Sequence, residues 1–94
     1  MDLDFEWNPA QAEANRRKHG ISFEQASTAF ADPLSVTIPD PEHSGREVRF
    51  LLLGRSASGR LLVVAHTERG ERIRIISVRP PTRRERRDYE QGSS

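Results

Sequence analysis

Apolar and polar residues alternate at the start of the chain. Leu3, Phe5 and Trp7 are apolar with Asp4 and Glu6 between them, the two-residue period of a strand. Asn8-Pro9 then supplies a helix start, Asn as N-cap and Pro at the first helical position. Residues 9–19 read as a helix that Gly20 ends, with Lys18 and His19 complementing the negative dipole end. Its Ala-rich, polar composition leaves a narrow packing face. Ser22 opens a second helix, with Gln25 three residues on as the other half of a capping box. Phe23, Ala26, Ala29 and Phe30 fall at helical spacing. Asp32-Pro33 stops that helix, because proline disfavours helical backbone in the residue before it.

The period then returns to two. Leu34, Val36 and Ile38 alternate with Ser35 and Thr37, and a turn-rich loop over residues 39–45 follows. Strands are expected at 48–55, 60–67 and 72–79, joined by connections of four residues. Connections so short make an antiparallel meander and exclude parallel crossovers. Pro80-Pro81 ends the meander. Thr82 and Glu85 form a capping box for a short basic helix over 83–90, leaving 91–94 as a frayed tail. The order β-α-α-β-β-β-β-α implies an α+β domain. Two N-terminal helices and a short C-terminal helix cover an antiparallel sheet.

Pairing Arg55 with Arg60 and Thr67 with Arg72 fixes a register. It sets Arg49 opposite His66 and collects Arg55, Arg60 and Arg79 at one end of one face. Three like charges so placed repel unless an anion sits among them. Arg72 and Arg74 fall on the opposite face, as a second basic patch or a solvated rim.

The chain has 94 residues, 34% apolar, enough for one domain with one modest core. The net charge of +1 conceals an uneven distribution: −5 over residues 1–45 and +6 over 46–94. Fourteen of the fifteen cationic residues are Arg, whose planar fork suits phosphate. A GC-rich genome gives the same bias. With no Cys, disulfide scaffolds and thiolate zinc sites are excluded. An acidic N-terminus without an apolar segment, and the lack of long apolar runs, lead to the expectation of a soluble, cytoplasmic protein with no membrane association.

No metal or cofactor motif is visible. His19, His43 and His66 lie 24 and 23 residues apart, without ligand spacing, and the six Gly sit singly in turns. Arg, His, Lys and Glu suit metal-independent cleavage of RNA. That reaction needs a base for the ribose 2′-hydroxyl, cations for the phosphoryl oxygens and an acid for the leaving 5′-oxygen. Histidine titrates in the range such a base requires. Blander roles exist for each group: Lys18 and His19 as helix-end cations, His43 as plain surface, His66 as a hydrogen-bonded sheet residue, Trp7 and Tyr89 as packing groups.

An ordered set of short motifs spans residues 5–90. It runs through Phe5-Glu6-Trp7-Asn8-Pro9, Asn15-x-x-Lys18-His19-Gly20-Ile21-Ser22-Phe23, Phe30-x-Asp32-Pro33, Glu47-x-Arg49-Phe50, Gly54-Arg55-Ser56 and Gly59-Arg60-Leu61. It closes with Arg74-Ile75-Ile76-Ser77-x-Arg79-x-x-Thr82-Arg83-x-Glu85-Arg86-x-x-Tyr89. Together these resemble the BrnT family of type II toxins. The resemblance implies a RelE-like toxin fold, endoribonuclease activity that arrests translation, and a DNA-binding antitoxin of the BrnA type. Asn8 stands where that family usually has Asp, Gln11 where Lys is common, and Pro80-Pro81 where a small or basic pair is usual. On chemistry and resemblance together, Lys18, His19, Arg49 and Arg79 are the expected catalytic residues. Arg55, Arg60, Arg74 and Arg83 are the expected RNA contacts. The rival expectation is a binding module for nucleic acid or an acidic partner, without chemistry.

Overall fold

The computed structural model describes residues 3–40 and 47–92, so the expected loop with His43 lies largely outside the described residues. In chain order the elements are β1 (Asp4–Glu6), α1 (Pro9–His19), α2 (Phe23–Thr28) with a 3₁₀ turn at Ala29–Ala31, and β2 (Val36–Pro39). Then follow β3 (Arg49–Arg55), β4 (Leu61–Arg69), β5 (Arg72–Arg79) and α3 (Arg83–Gln91). This is the expected α+β succession. Its last helix takes in Gln91 and is capped by Gly92, where a frayed tail was expected.

The five strands form one sheet in the order β1-β5-β4-β3-β2. β2, β3, β4 and β5 pair antiparallel, whereas β1 pairs parallel with β5. The sheet is therefore mixed, not antiparallel throughout. No turn joins β1 to β5; two helices and three strands lie between them, so no hairpin dictates their relative direction.

The register also departs from expectation. Arg55 pairs with Leu61, and Arg49 with Thr67. The loop holds five residues, closed by the Ser56 N–H to the Arg60 carbonyl at 2.8 Å, with Gly59 at φ 88°. One extra loop residue moves every pairing by one and changes which side chains share a face. The second hairpin is tighter than expected. Arg69 pairs with Arg72 across Gly70-Glu71, with Gly70 at φ 60° in the first turn position. An irregularity between Ala65 and His66 then leaves Ile76 as the extra residue.

This register separates two faces. Phe50, Leu52, Gly54, Leu62, Val64, His66, Ile75 and Val78 face α1 and α2. The core joins Leu52, Leu62, Val64, Ile75 and Val78 to Ile21, Phe23, Ala26 and Ala29. Gly54 is required here: a Cβ would lie 2.9 Å from the Ala29 carbonyl oxygen, where the 3₁₀ turn crosses β3. The opposite face carries Arg49, Leu51, Leu53, Arg55, Leu61, Val63, Ala65, Thr67, Arg74, Ser77 and Arg79. α3 packs over its β3 side.

Local chemistry sets the helix ends. Asn8 Oδ1 accepts from the Ala10 and Gln11 N–H groups at 2.8 and 3.2 Å, so Asn caps α1 fully. Gly20, at φ 70°, closes it by donating to the Arg16 carbonyl at 2.8 Å. The one buried residue of α1 is polar: Asn15 accepts from the Val78 N–H at 3.0 Å and donates to the Ile21 carbonyl at 3.3 Å. α1 is thus held to β5 by an amide clamp as well as by apolar contact. At α2 only half the expected capping box forms. Ser22 Oγ accepts from the Gln25 N–H, but the Gln25 side chain reaches Ser58 Oγ instead.

Candidate functional site

The cationic side chains divide by what they touch. Arg79 presents Nη1 and Nη2 to the two Glu85 oxygens at 2.8 and 2.9 Å, and Nη1 also donates to the Pro80 carbonyl. Glu85 simultaneously completes the capping box of α3, accepting from the Thr82 N–H at 2.8 Å. The Arg79 fork is the chief reason the Glu85 carboxyl is pulled down to about 2, against the opposing effect of burial. Arg74 pairs with Glu6 at 3.1 Å, and Arg69 with Glu47 at 3.0 Å. Arg16 and Arg17 share Glu13.

Arg55 belongs to a different network. Its guanidinium lies 5.3 Å from the Tyr89 ring centre and donates to the Gly59 carbonyl. Its backbone N–H donates to Asp32 Oδ2 at 2.8 Å, and the Tyr89 hydroxyl donates to the same oxygen at 2.6 Å. The Leu34 N–H satisfies Asp32 Oδ1. Burial opposes the charged form of Asp32, but the Tyr89 and backbone donors outweigh it and lower its pKa. Burial and the Asp32 carboxylate together raise that of Tyr89. A shallow cleft of about 590 Å³ opens beside Asp32 and Arg55. The network bolts α3 to the segment after α2. Its members come from three separate motifs of the sequence, and nothing in the spacing of those motifs announces that they meet.

The remaining cations carry no such partner among the described residues. Lys18 is exposed and His19 half-buried at the end of α1, one turn beyond the Asn15 clamp. Arg49 is half-buried at the start of β3, in one cross-strand row with Thr67, Arg74 and Glu6. Arg60 is exposed in the β3–β4 loop, and Arg83, Arg84, Arg86 and Arg87 are exposed on α3.

The expected end-cluster does not form. Arg79 lies opposite Val63 and Arg55 opposite Leu61, while Arg60 belongs to the loop. The shifted register removes Arg60 from the group and offsets Arg55 and Arg79 by two residues on one face, where Tyr89 and Glu85 occupy them. Arg74 shares a face with Arg49 instead of opposing it. Arg49 and Arg79 share that face two strands and four residues apart, about 16 Å at Cα from standard strand spacings. Lys18 and His19 lie on α1, which packs against the other face of the sheet, and no hydrogen bond or ion pair joins them to either among the described residues.

His66 is a sheet residue. It is buried, Nδ1–H donates to the Val64 carbonyl at 3.2 Å, and its ring meets Phe30 and Phe50 at centroid distances of 4.8 and 5.8 Å. Burial lowers its pKa, with Val64 and Glu68 pulling the other way. Among the described residues no three His, Asp or Glu side chains gather as a metal-binding group. Among the described residues no helix is long and apolar enough to cross a membrane.

A five-stranded mixed sheet between a helical pair and a single C-terminal helix, with cations displayed from α1, β3 and α3, defines a small α+β domain. It is similar to the 1.1 Å crystal structure of the Brucella abortus ribonuclease toxin BrnT, with a TM-score of 0.67. The match covers 87% of this chain and 100% of that one, at 16% sequence identity, a likeness of fold. The family described as the ribonuclease toxin BrnT of type II toxin-antitoxin systems matches residues 7–85, and the chain belongs to that family. No curated protein sequence matches it.

Proposed function

We propose that the chain is a metal-independent endoribonuclease that cleaves RNA in the cytoplasm, arrests translation and is neutralised by a DNA-binding antitoxin of the BrnA type. The observation that carries this reading is the family match over residues 7–85, which takes in Lys18, His19, Arg49 and Arg79. In the proposed reaction His19 and Lys18 move protons, one taking that of the ribose 2′-hydroxyl and the other supplying the leaving 5′-oxygen. The 2′-oxygen attacks phosphorus, a cyclic phosphate forms and the P–O5′ bond breaks.

Arg49, which has no carboxylate partner among the described residues, binds phosphate. Arg79 contributes as a cation held in one orientation by Glu85. Among the expected RNA contacts, Arg60 and Arg83 are solvent-facing and open to phosphate. Arg55 and Arg74 reach RNA only at the edge of the contacts they already make.

The test is purified chain incubated with RNA in excess EDTA, with and without ribosomes. Cleavage in EDTA supports the reading. Intact RNA under every condition, Mg²⁺ included, rejects it.

A further inference from the structure

α3 is assembled against its own electrostatics. Arg83, Arg84, Arg86 and Arg87 occupy its first two turns, the end where the helix dipole is positive, and its last turn holds no basic residue. Arg83 lies three and four residues from Arg86 and Arg87, and Arg84 three from Arg87, so like charges neighbour one another along the helix. Among the described residues none has a carboxylate partner, although Asp88 and Glu90 are on the same helix.

The face is sharply defined. Glu85 and Tyr89 point inward, one to Arg79 and the other to Asp32. At roughly 100° per residue the four arginines fill an arc about 160° wide on the opposite side, with Arg83 and Arg87 flanking its centre. All four are exposed, and no apolar side chain lies among them.

We propose that this outward face of α3 is a docking rail for the phosphate backbone of single-stranded RNA. It is separate from the residues proposed for bond cleavage, and the proposal rests on the ribonuclease reading. Four guanidinium forks within about 6 Å of helix axis satisfy a polyanion with charge and paired donors alone. An acidic protein partner fits less well, because a stable protein interface needs apolar area at its centre and this face supplies none. The capping box and the Arg79–Glu85 pair hold the rail in place despite the repulsion along it.

The test is equilibrium binding of the full chain to a 2′-O-methyl RNA oligonucleotide across a salt series. That probe lacks the free 2′-hydroxyl and stays intact. For the double variant Arg84→Gln/Arg87→Gln, the slope of log affinity against log salt should flatten by about 1.4, from 0.7 per lost single-strand contact. Melting temperature should hold or rise, and Arg84→Lys/Arg87→Lys should recover the slope. On cleavable RNA the Gln pair should raise KM and leave kcat within about twofold, as expected for backbone contacts that position substrate.

A wild-type chain that cleaves RNA while the Gln pair keeps the full slope overturns the rail and leaves the ribonuclease reading intact. So does a Gln pair that binds RNA normally and loses its antitoxin. A wild-type chain that neither binds nor cleaves RNA overturns both.

Discussion

On one face of the sheet, Ile21, Phe23, Ala26 and Ala29 meet Leu52, Leu62, Val64, Ile75 and Val78 in a dry core. On the other, α3 is fastened by the Arg79–Glu85 fork and the Tyr89–Asp32 hydrogen bond, with Leu61 and Val63 beneath. Dispersion and water exclusion hold the first face, and directional polar contacts hold the second. The difference teaches how to read an arginine-rich chain. An arginine on the second face that finds a carboxylate or a ring has a structural role first, as with Arg55, Arg74 and Arg79, and any contact with RNA comes on top of it. An arginine left without one among the described residues, as with Arg49, Arg60 and the α3 quartet, is available to an outside anion.

The contrast can be broken most severely from the dry side. Phe23 is fully buried, and Phe23→Ala should cost about 3–5 kcal/mol by denaturant unfolding, the loss of a core aromatic. The polar side should yield less. Glu85→Gln removes the charge opposite Arg79 and should cost about 1–2 kcal/mol at neutral pH, since the pair is only partly buried.

The same variant tests the sign of the pH dependence. The folded Glu85 carboxyl stands at about 2 against an ordinary 4.5. Its contribution is therefore complete above 4.5 and lost as pH falls toward 2. Stability of Glu85→Gln should fall less steeply through that window; an identical acid limb in both proteins would sever the fork from stability.

The dry face should weaken in milder acid. Burial holds His66 below its ordinary 6.5, so the unfolded chain takes up a proton first and stability falls as pH drops through 6.5. His66→Phe should remove that limb and leave the Glu85 limb in place. This is the smallest of the three effects, measured by melting temperature across pH.

Local chemistry made much of this fold legible. Asn8-Pro9, Gly20, Ser22 and the Thr82–Glu85 pair mark helix ends at or within a residue of where they fall, because caps act over three or four residues. Strand existence was equally plain, and Arg72–Arg79 has the bounds expected. Register was not. Whether the loop after Arg55 holds four or five residues depends on the backbone at Gly59, and one residue decides which arginines share a face. The parallel pairing of β1 was hidden because it joins positions 68 residues apart, such as Phe5 and Ile73. The site was legible as a roster of residue types and motifs. Its partnerships were not, since Arg79–Glu85 and Asp32–Tyr89 arise from tertiary packing. Lys18, His19, Arg49 and Arg79 remain dispersed over three elements and over both sides of the sheet.

The central claim is that the unpartnered groups at the end of α1 cleave RNA while the paired arginines hold the fold. The most direct measurement is the single-turnover cleavage rate of RNA in EDTA for the wild-type chain and for His19→Ala, each first shown to melt at the same temperature. The account predicts cleavage by the wild type and a loss of about 10²-fold or more in the variant, the usual worth of a general acid or base. Equal rates in the two proteins would contradict it.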